Sequence, residues 1–482
     1  MHIDAVGGSD DAVADGSAAR PYRTLRGWAA QGGSTDRASG ISFGPGVHDV
    51  VGSGGLTLAT AGTAEAPFVV SGAGAGQTQL SGATQVHGFT EQAGTGTGAG
   101  AARRWTATLP SNTTYFRQLF VRSAPTGNFS RRLTARSATM AYNHTDMSNP
   151  QFAIVFNQGQ VRPSYHNQED VLATLFHCWT ATTHQINNIN PKNSTLTLYK
   201  SPHLNIPRCE HASGKRFLIE DAREELDEPG EFYYDRKTNE LTYIPLDDEQ
   251  LQQFEAWAPQ VITPISIRAS NVVVRDLSVV HAAADMDGFF VGDCDGQSAS
   301  NLHTGAIALN CTAESLSSSS SDAQAGGGSS GLQADPACAD GQCCGVTVEN
   351  VEVAHTGGFG VITQSPVSGL SLRRLHVHDI GAGGVNIGSA HNVTEVIDHP
   401  GSVLDVSLED SEIHDGGHVY RMGPGVMLQS CHGCAVVHNN IHNFFCEHSL
   451  RLCLLLQLQA SYRRWVFAQT RASRRVWASA MR

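Results

Sequence analysis

A short pattern recurs along the C-terminal half of the chain and constrains the fold more than any other feature. It begins with a branched apolar residue, continues with His or a small apolar residue and then with His, Asp or Asn, and usually ends in glycine. Its copies begin at Val279, Val353, Val377, Ile413 and Ile441, and the last four are separated by 24, 36 and 28 residues. Repeats of roughly 20 to 50 residues are typical of solenoids, in which each unit is buried by its neighbours.

Apolar and polar residues alternate within each repeat, as in 346–353 and 370–377. Alternation with period two indicates strands, and no helical stripe separates them. We therefore predict an all-β chain whose main part is a right-handed parallel β-helix, a single-stranded solenoid of short strands. A leucine-rich horseshoe is the competing solenoid, but its leucine pattern is missing.

The pattern divides the chain into four parts. Residues 1–110 are predicted to form an N-terminal cap and the first coils. Residues 111–258 contain longer strands and more aromatic residues, which predicts an inserted small β domain. Residues 259–449 form the main β-helix, with a disordered Ser/Gly-rich insertion near 312–342. Residues 450–482 are basic and break the repeat, which fits either an amphipathic membrane helix or an aberrant, truncated terminus.

Charge and hydropathy exclude several classes of partner. The formal net charge of −13 argues against nucleic acid. No apolar run approaches the roughly 18 residues of a membrane span, and the first residues show no secretion leader. Six glycosylation sequons nevertheless favour an extracellular or cell-surface protein, which we expect to be a monomer; they lie at Asn112, Asn128, Asn143, Asn193, Asn310 and Asn392.

Five of the 11 cysteines lie in or near the insertion. Disulfides could fasten this part of the chain, which lacks a core of its own, through Cys294, Cys311, Cys338, Cys343 and Cys344. A separate Cys-x-x-Cys pair, Cys431 and Cys434, has no second pair at zinc-site spacing. We interpret it as turn sequence between coils and not as a metal or redox site.

Four stretches resemble a known family, the right-handed parallel β-helix proteins related in fold to pectate lyases, most of them of unassigned activity. The resemblance spans about residues 1 to 445 and is carried by 7–11 with 20–25, by 118–121 with 131–136, by 176–186, and by 228–237 with 241–245. The last pair, PGEFYYDRK followed by LTYIP, is the most similar. Relatives with the pectate-lyase fold commonly use calcium and continue with further coils where this chain has its Leu/Arg tail.

Stacked coils should align the repeated polar residues about 5 Å apart. One predicted row contains His378, His414 and His442, and the next contains His281, His355, Asp379, Asp415 and Asn443. Two neighbouring carboxylates cannot both ionise freely without a partner, so one pKa should rise. We predict Asp379 and Asp415 as acid and base or nucleophile, with His378 and His414 tuning or shuttling protons.

The loop after Asp415 is five residues longer than its counterpart after Asp379 and carries three candidate substrate-binding residues. Arg421 could hold a substrate carboxylate, Tyr420 could stack on a sugar ring, and His418 is the third polar residue of the loop. The strand pattern predicts that three further residues face outward on the same side, namely Gln364, Asn386 and Gln429.

A carboxylate cluster near the first full coil is the candidate for calcium and contains Asp285, Asp287, Asp293 and Asp295. Its spacing does not complete an EF-hand, and Asp-Gly turns explain it as well. We therefore predict no resident metal or cofactor, with calcium as the alternative.

These features favour a carbohydrate-active protein that cleaves a polysaccharide or other glycan, either as a glycoside hydrolase or as a polysaccharide lyase in which histidine acts as the base. Two alternatives stay open: a non-catalytic glycan-binding or adhesive β-helix, and an inactive truncated family member. For each His or Asp taken alone, a structural role is a simpler explanation than catalysis, because stacked polar side chains at the turns can hydrogen-bond to backbone groups.

Overall fold

The computed structural model describes residues 1–11, 13–30, 39–92, 103–123, 127–146, 153–177, 181–199, 215–286, 302–311, 338, 341–388, 403–429, 431–444, 454–456, 466–468 and 471–473. The regular secondary structure of these residues is almost entirely β-strand. The helical segments are α1 (Leu25–Ala30) and short 3-10 turns at Val51–Ser53, Gln168–Asp170 and Arg223–Glu225. The predicted all-β class is confirmed.

The largest sheet, here the long sheet, contains 15 strands, and its pairs are parallel. Numbered in chain order along the protein, its strands are β1 (His2–Ile3), β2 (Gly40–Phe43), β3 (Gly46–Asp49), β5 (Phe68–Ser71), β6 (Thr78–Ser81), β22 (Val272–Val280), β25 (Thr347–Thr356), β28 (Ser371–Arg373), β29 (His376–Ile380), β32 (Ser407–Glu409), β33 (Glu412–Gly416), β36 (Ala435–Val437), β37 (Asn440–Phe444), β39 (Val466–Ala468) and β40 (Arg471–Ser473).

Two further parallel sheets accompany the long sheet. The seven-stranded sheet contains β4 (Leu56–Leu58), β21 (Ile265–Ile267), β23 (Gly305–Leu309), β26 (Phe359–Thr363), β30 (Val385–Ile387), β34 (Val426–Leu428) and β38 (Leu454–Leu456). The four-stranded sheet contains β24 (Cys343–Cys344), β27 (Val367–Ser368), β31 (Val403–Leu404) and β35 (Cys431–His432). From β25 to β36 the chain passes repeatedly through the long, the seven-stranded and the four-stranded sheet in that order.

The first residues of the repeated pattern lie side by side in the long sheet. Val279 pairs with Val353, Val353 with Val377, Val377 with Ile413, and Ile413 with Ile441. All five are at most 3% exposed and belong to one core that also takes in the inner faces of the other two sheets. The repeat therefore exists because each strand needs an apolar residue at this register position.

The last polar residue of each pattern forms a corner where the strand bends. These residues have positive φ between 48° and 61°, and they are His281, His355, Asp379, Asp415 and Asn443. Asn, Asp and His tolerate this left-handed conformation better than most side chains. The nearby glycines have a different cause, because a Cβ at Gly381 would overlap the backbone of Gly357. Backbone geometry thus accounts for much of the motif.

A mostly antiparallel eight-stranded sheet, here the antiparallel sheet, occupies the middle of the chain. Its strands are β7 (Ala83–Val86), β8 (Thr90–Gln92), β9 (Arg104–Thr108), β10 (Leu119–Arg122), β11 (Ser130–Thr134), β18 (Glu231–Asp235), β19 (Glu240–Tyr243) and β20 (Glu255–Pro259). A closed barrel lies between β11 and β18 in sequence and contains β12 (Met140–Thr145), β13 (Ala153–Phe156), β14 (Leu172–Phe176), β15 (Ala181–Asn190), β16 (Thr195–Leu198) and β17 (Arg216–Glu220).

The strand assignments differ from the sequence-based division at two places. Strands β7, β8 and β9 belong to the antiparallel sheet, although they precede residue 110. Beyond residue 450, β38, β39 and β40 add parallel pairs to β34, β36 and β37, so backbone pairing extends past the point where the sequence repeat ends. The boundaries at residues 110 and 258 stay predictions. The Ser/Gly-rich insertion lies outside the described residues, apart from short segments at its edges.

Among the described residues, three disulfides fasten the turns of the parallel sheets. Cys311 is bonded to Cys343 and Cys338 to Cys344, as expected for the cysteines near the insertion, whereas Cys294 lies outside the described residues. Cys431 and Cys434 form the third bond. Within the part of the chain described, no helix is long and apolar enough to cross a membrane.

Candidate functional site

The predicted histidine row is present on the outer face of the long sheet. His378, His414 and His442 follow the core positions on β29, β33 and β37, and their rings are stacked. The ring centroids are 5.4 Å apart between His378 and His414 and 4.8 Å apart between His414 and His442. His376 stacks on His378 from the neighbouring row at 4.2 Å. The row is therefore a continuous, partly exposed strip of imidazoles.

The corner row runs parallel to the histidine row, but the antiparallel sheet covers its first half. Phe129 packs edge-on against His281, with ring centroids 4.5 Å apart, and Trp257 stacks on the same ring. His281 is completely buried, which lowers its pKa well below the usual value. His281 and His355 are therefore packing residues in the contact between the two sheets.

Asp379 lies where the antiparallel sheet meets the corner row. Arg131 on β11 donates from Nε to its Oδ1 over 2.8 Å, and His355 Nδ1 lies 2.6 Å from its Oδ2. Burial alone would raise the pKa of this carboxyl, but Arg131 and His355 hold it well below its usual range. Asp379 is therefore ionised and cannot serve as the acid of a carboxyl pair.

Asp415 is more exposed than Asp379 and is also ionised. Its Oδ2 lies 2.8 Å from His414 Nδ1, and its Oδ1 accepts a hydrogen bond from Asn443 Nδ2 over 2.9 Å. The bond to His414 is the largest cause that lowers its pKa. The prediction that one of the two aspartates has a raised pKa is wrong, because each one has a partner of its own.

A small cavity, partly open to solvent, lies beside Asp379 and brings together residues from distant parts of the chain. Five arginines line it with a single carboxylate and a histidine; the lining residues are Arg117, Arg131, Arg132, Leu133, Thr134, Arg136, Glu220, His418, Val419 and Arg421. Four of these arginines form ion pairs with acidic residues. Arg136 forms none with the residues that the structure describes.

His418 stands at the wall of this cavity. Its Nε2 lies 3.4 Å from Asp379 Oδ1, and its side chain is 30% exposed. Burial lowers the pKa of His418 to about 4, although Asp379 acts in the opposite direction. The imidazole is therefore neutral at neutral pH and lies next to a carboxylate that would stabilise its protonated form.

Glu220 at the end of the barrel holds two of the arginines. Arg421 Nη2 donates to Glu220 Oε1 over 3.0 Å, and Arg117 approaches Glu220 Oε2 at 3.5 Å. These cations keep the pKa of the Glu220 carboxyl below its usual range despite its burial. Arg421, predicted as a substrate ligand, therefore has a protein carboxylate as its partner in this structure.

The other predicted substrate contacts are less accessible than expected. Tyr420 is 3% exposed and donates to the Asp285 carbonyl over 3.4 Å, so it cannot stack on a sugar ring. Asn386 was expected to face solvent but is completely buried, and Gln429 is buried as well. Gln364 is partly buried and donates to the His303 carbonyl.

These expectations fail because the seven-stranded sheet is covered on its outer face. Ala308 and Ile362 on that face belong to one apolar cluster with Leu172 of the barrel and with Tyr420 and Met422 of the long loop. Asn386 pairs with Ile362 and with Met427, the neighbours on either side of it in the sheet. Strand alternation correctly separates the two faces, but it does not reveal that both are buried.

The sequence did not mark most of the arginines as functional. Arg131, Arg132 and Arg136 come from β11 and the residues just after it, more than 240 residues before Asp379. The available signal was a local excess of arginine in an acidic chain, three of six residues in 131–136.

Two groups of three side chains on the outer face of the long sheet have the composition of metal ligands, and each group has its ligand atoms within 4.8 Å of one another. They are Glu352 with His376 and His378, and His376 with Glu412 and His414. Of the predicted calcium cluster, Asp287, Asp293 and Asp295 lie outside the described residues.

Comparison with known proteins gives a similarity of fold. No protein-family model and no curated protein matches the chain. A solved structure described as a glycoside hydrolase superposes with a TM-score of 0.60 at 17% identity, covering 92% of this chain and 78% of the other. A complex of XylC with xylose gives a TM-score of 0.44 at 10% identity, covering 92% of this chain and 58% of that one.

Proposed function

We propose that this protein binds an acidic polysaccharide in the arginine-lined cavity and cleaves it by β-elimination, with His418 as the base. The observation that carries the proposal is the position of a neutral imidazole between Asp379 and a cavity whose lining contains five arginines and one glutamate. Four of these arginines are paired with protein carboxylates, so we assign the anionic ligand to the fifth, Arg136.

The substrate carboxylate is assigned to Arg136. Guanidinium groups bind carboxylates through two parallel hydrogen bonds. Within the described part of the chain Arg136 forms no ion pair, although its charge lowers the pKa of the Glu231 carboxyl, which burial raises. We assign the carboxylate of a uronic acid residue to this guanidinium. The partly exposed edge of His418 faces the same cavity. A sugar held by Arg136 would therefore lie within reach of the imidazole.

In the proposed step, His418 Nε2 removes the proton from the ring carbon that bears the carboxylate. The electron pair of that bond forms a double bond to the neighbouring carbon, whose bond to the glycosidic oxygen breaks. The oxygen receives a proton from the His418 imidazolium or from water, and no water is added across the bond. A hydrogen bond to the Asp415 main chain fixes the ring. In the proposed mechanism Nδ1 carries the proton of the neutral imidazole, and Nε2 is the atom that takes up the substrate proton.

Asp379 has a positioning and electrostatic role in this mechanism. Its carboxylate would stabilise the imidazolium that forms at His418, while Arg131 and His355 hold it in place. Elimination is favoured over glycoside hydrolysis because hydrolysis needs a protonated carboxyl group. The pKa values of Asp379 and Asp415 both lie below normal.

The proposed function is matched by a proposed fold, a right-handed parallel β-helix, and by a proposed location outside the cell or at its surface. We infer that the three parallel sheets are the walls of a right-handed parallel β-helix, since the chain passes through them in a constant order. The similarity in fold to a glycoside hydrolase is consistent with this inference. The disulfides support an extracellular or cell-surface location, because such bonds persist in oxidising compartments.

The test is incubation of the purified full chain with acidic and neutral polysaccharides. Elimination from an acidic substrate yields an unsaturated uronate that absorbs ultraviolet light, whereas hydrolysis yields reducing ends without that absorbance. We expect His418→Gln to lower kcat by about 100-fold or more and Arg136→Ala to raise KM mainly. His438→Gln is the matched control, because His438 is an exposed histidine on the long sheet outside the cavity. Reducing ends without unsaturated product would contradict the mechanism.

A non-catalytic glycan-binding protein is the second candidate. It is favoured by the left-handed backbone at Asp379, Asp415 and Asn443. Asp and Asn tolerate this conformation, so their presence at these positions does not require a catalytic role. Retained binding of an acidic polysaccharide with no product at any pH would support this alternative and exclude the enzyme.

A further inference from the structure

We propose that His376, Glu412 and His414 form a binding site for one first-row transition-metal ion of the Zn²⁺ type. The three residues lie on β29 and β33, adjacent strands of the long sheet, and their ligand atoms are all within 4.8 Å of one another. Imidazole nitrogen and carboxylate oxygen are ordinary zinc ligands. The site lies on the sheet surface and is separate from the residues assigned to elimination.

The two imidazoles point their Nε2 atoms toward each other. These nitrogens are 3.0 Å apart, although the ring centroids are 5.2 Å apart. Two ligands at about 2.0–2.1 Å from a tetrahedral ion are separated by roughly 3.4 Å. A small movement of the exposed His376 side chain would bring both nitrogens to this separation, with Glu412 as the third ligand.

The contacts behind the ligands point to the same ion. His414 Nδ1 lies 2.8 Å from Asp415 Oδ2, so the bond to Asp415 directs the lone pair of Nε2 toward His376. Metal-binding histidines commonly donate their other N–H to a carboxylate in this way. Glu412 is positioned by Asn440, whose Nδ2 donates to Oε1 over 3.1 Å, and the same oxygen lies 3.5 Å from His442 Nε2.

The ligand chemistry distinguishes this ion from calcium. Calcium takes six to eight oxygen ligands, whereas this site offers two nitrogens and a carboxylate. His376 and Glu412 are exposed to solvent, so an ion can enter directly and water can complete its coordination. The neighbouring group of Glu352, His376 and His378 shares His376. Since His376 can serve one group at a time, the expected stoichiometry is one ion per chain.

The experiment is calorimetric titration of the chelator-treated full chain with Zn²⁺ and, separately, with Ca²⁺, in the absence of any glycan. We expect one equivalent of Zn²⁺ and no saturable Ca²⁺ binding at this site. His376→Ala and His414→Ala should each weaken Zn²⁺ binding by about 100-fold, and Asp415→Asn by about 10-fold. Co²⁺ should give a visible absorption band that disappears in His414→Ala.

The controls separate this site from other histidines and from misfolding. His438→Ala removes an exposed histidine of the same sheet and should leave Zn²⁺ affinity unchanged. His378→Ala should change it by less than about 3-fold, and circular dichroism should show that all variants are folded. Loss of binding in His378→Ala with retention in His414→Ala would overturn the assignment. Equal weakening in His438→Ala would indicate adventitious binding only and would also overturn it.

The outcome is independent of the proposed elimination. Zinc affinity is measured without substrate, and His418 is not a ligand. If the full chain forms the unsaturated product but does not bind zinc, the metal site alone is refuted. If it binds zinc but forms no unsaturated product, the elimination alone is refuted.

Discussion

Arg131 Nε donates to Asp379 Oδ1 over 2.8 Å and so joins two residues that are 248 positions apart in the chain. The same guanidinium donates from Nη2 to the carbonyls of Thr356 and Asp379, over 2.9 and 2.7 Å. One arginine of the antiparallel sheet therefore caps two consecutive corners of the long sheet.

We expect Arg131→Met to lower the free energy of unfolding by about 3 kcal/mol, because it leaves the largely buried Asp379 carboxylate without its main partner. Urea denaturation measures the change. Arg373→Met is the control, since Arg373 is an exposed arginine paired with Glu349, and removal of an exposed pair costs at most about 1 kcal/mol. Equal losses in the two variants would show that the Arg131 contact does not stabilise the fold.

Ile413→Ala should cost about 2–5 kcal/mol of unfolding free energy, because it opens a cavity between the paired core residues Val377 and Ile441. Val13→Ala removes apolar volume from a side chain that is 63% exposed and should cost less than about 0.5 kcal/mol. Chemical denaturation of both variants checks the difference. A small change in unfolding free energy for Ile413→Ala would mean that the paired apolar residues of the long sheet do not form a packed core.

Stability should fall when the pH is lowered from about 6.5 toward 4, in part because of His177. Burial lowers the pKa of His177 to about 4, so the folded chain stays neutral there while the unfolded chain takes up a proton. The contribution of His177 is complete above pH 6.5, and about 2 kcal/mol of it is lost by pH 5. The free energies of unfolding of wild type and of His177→Gln, each measured above pH 6.5 and at pH 5, give the loss. A slope unchanged in the variant would contradict this assignment.

Removal of the Cys311–Cys343 bond by Cys311→Ser with Cys343→Ser should lower stability by about 2–4 kcal/mol, because the bond closes a loop of 32 residues. The bond between Cys431 and Cys434 spans three residues, so Cys431→Ser with Cys434→Ser should have a smaller effect. Thermal unfolding under oxidising conditions compares the pairs. A larger loss from the short loop would contradict the loop-closure explanation.

Activity on an acidic polysaccharide should rise as the pH increases through about 4 and then level off toward neutrality. Below this pH, His418 is protonated and cannot accept the substrate proton. The profile of kcat/KM against pH measures this limb. An acidic limb with its midpoint near pH 6.5 would indicate a different base.

The repeat predicted much of the parallel architecture. The spacing of Val353, Val377, Ile413 and Ile441 correctly indicated that these residues lie in one buried file. It also placed His378, His414 and His442 in a second row. These predictions succeeded because pairing neighbouring strands in register requires the same residue type at the same position of each repeat.

The environment of the candidate site could not be predicted in the same way. The pattern placed Asp379 beside Asp415 and so implied mutual repulsion, but Arg131 and His355 neutralise one carboxylate and His414 bonds to the other. Asn386 on its strand and Tyr420 in its loop were both predicted to be exposed. Contacts from distant segments bury them instead.

The amino-acid sequence by itself determined the strands, their register and the corner residues, because these depend on local alternation and on backbone conformations that Asp, Asn and His tolerate. Only the tertiary structure decided which polar residues are ionised, buried or open to a ligand. Charge and exposure depend on neighbours such as Arg131 and Glu220, which belong to a different sheet and to the barrel. No periodicity in the sequence relates them to the repeat.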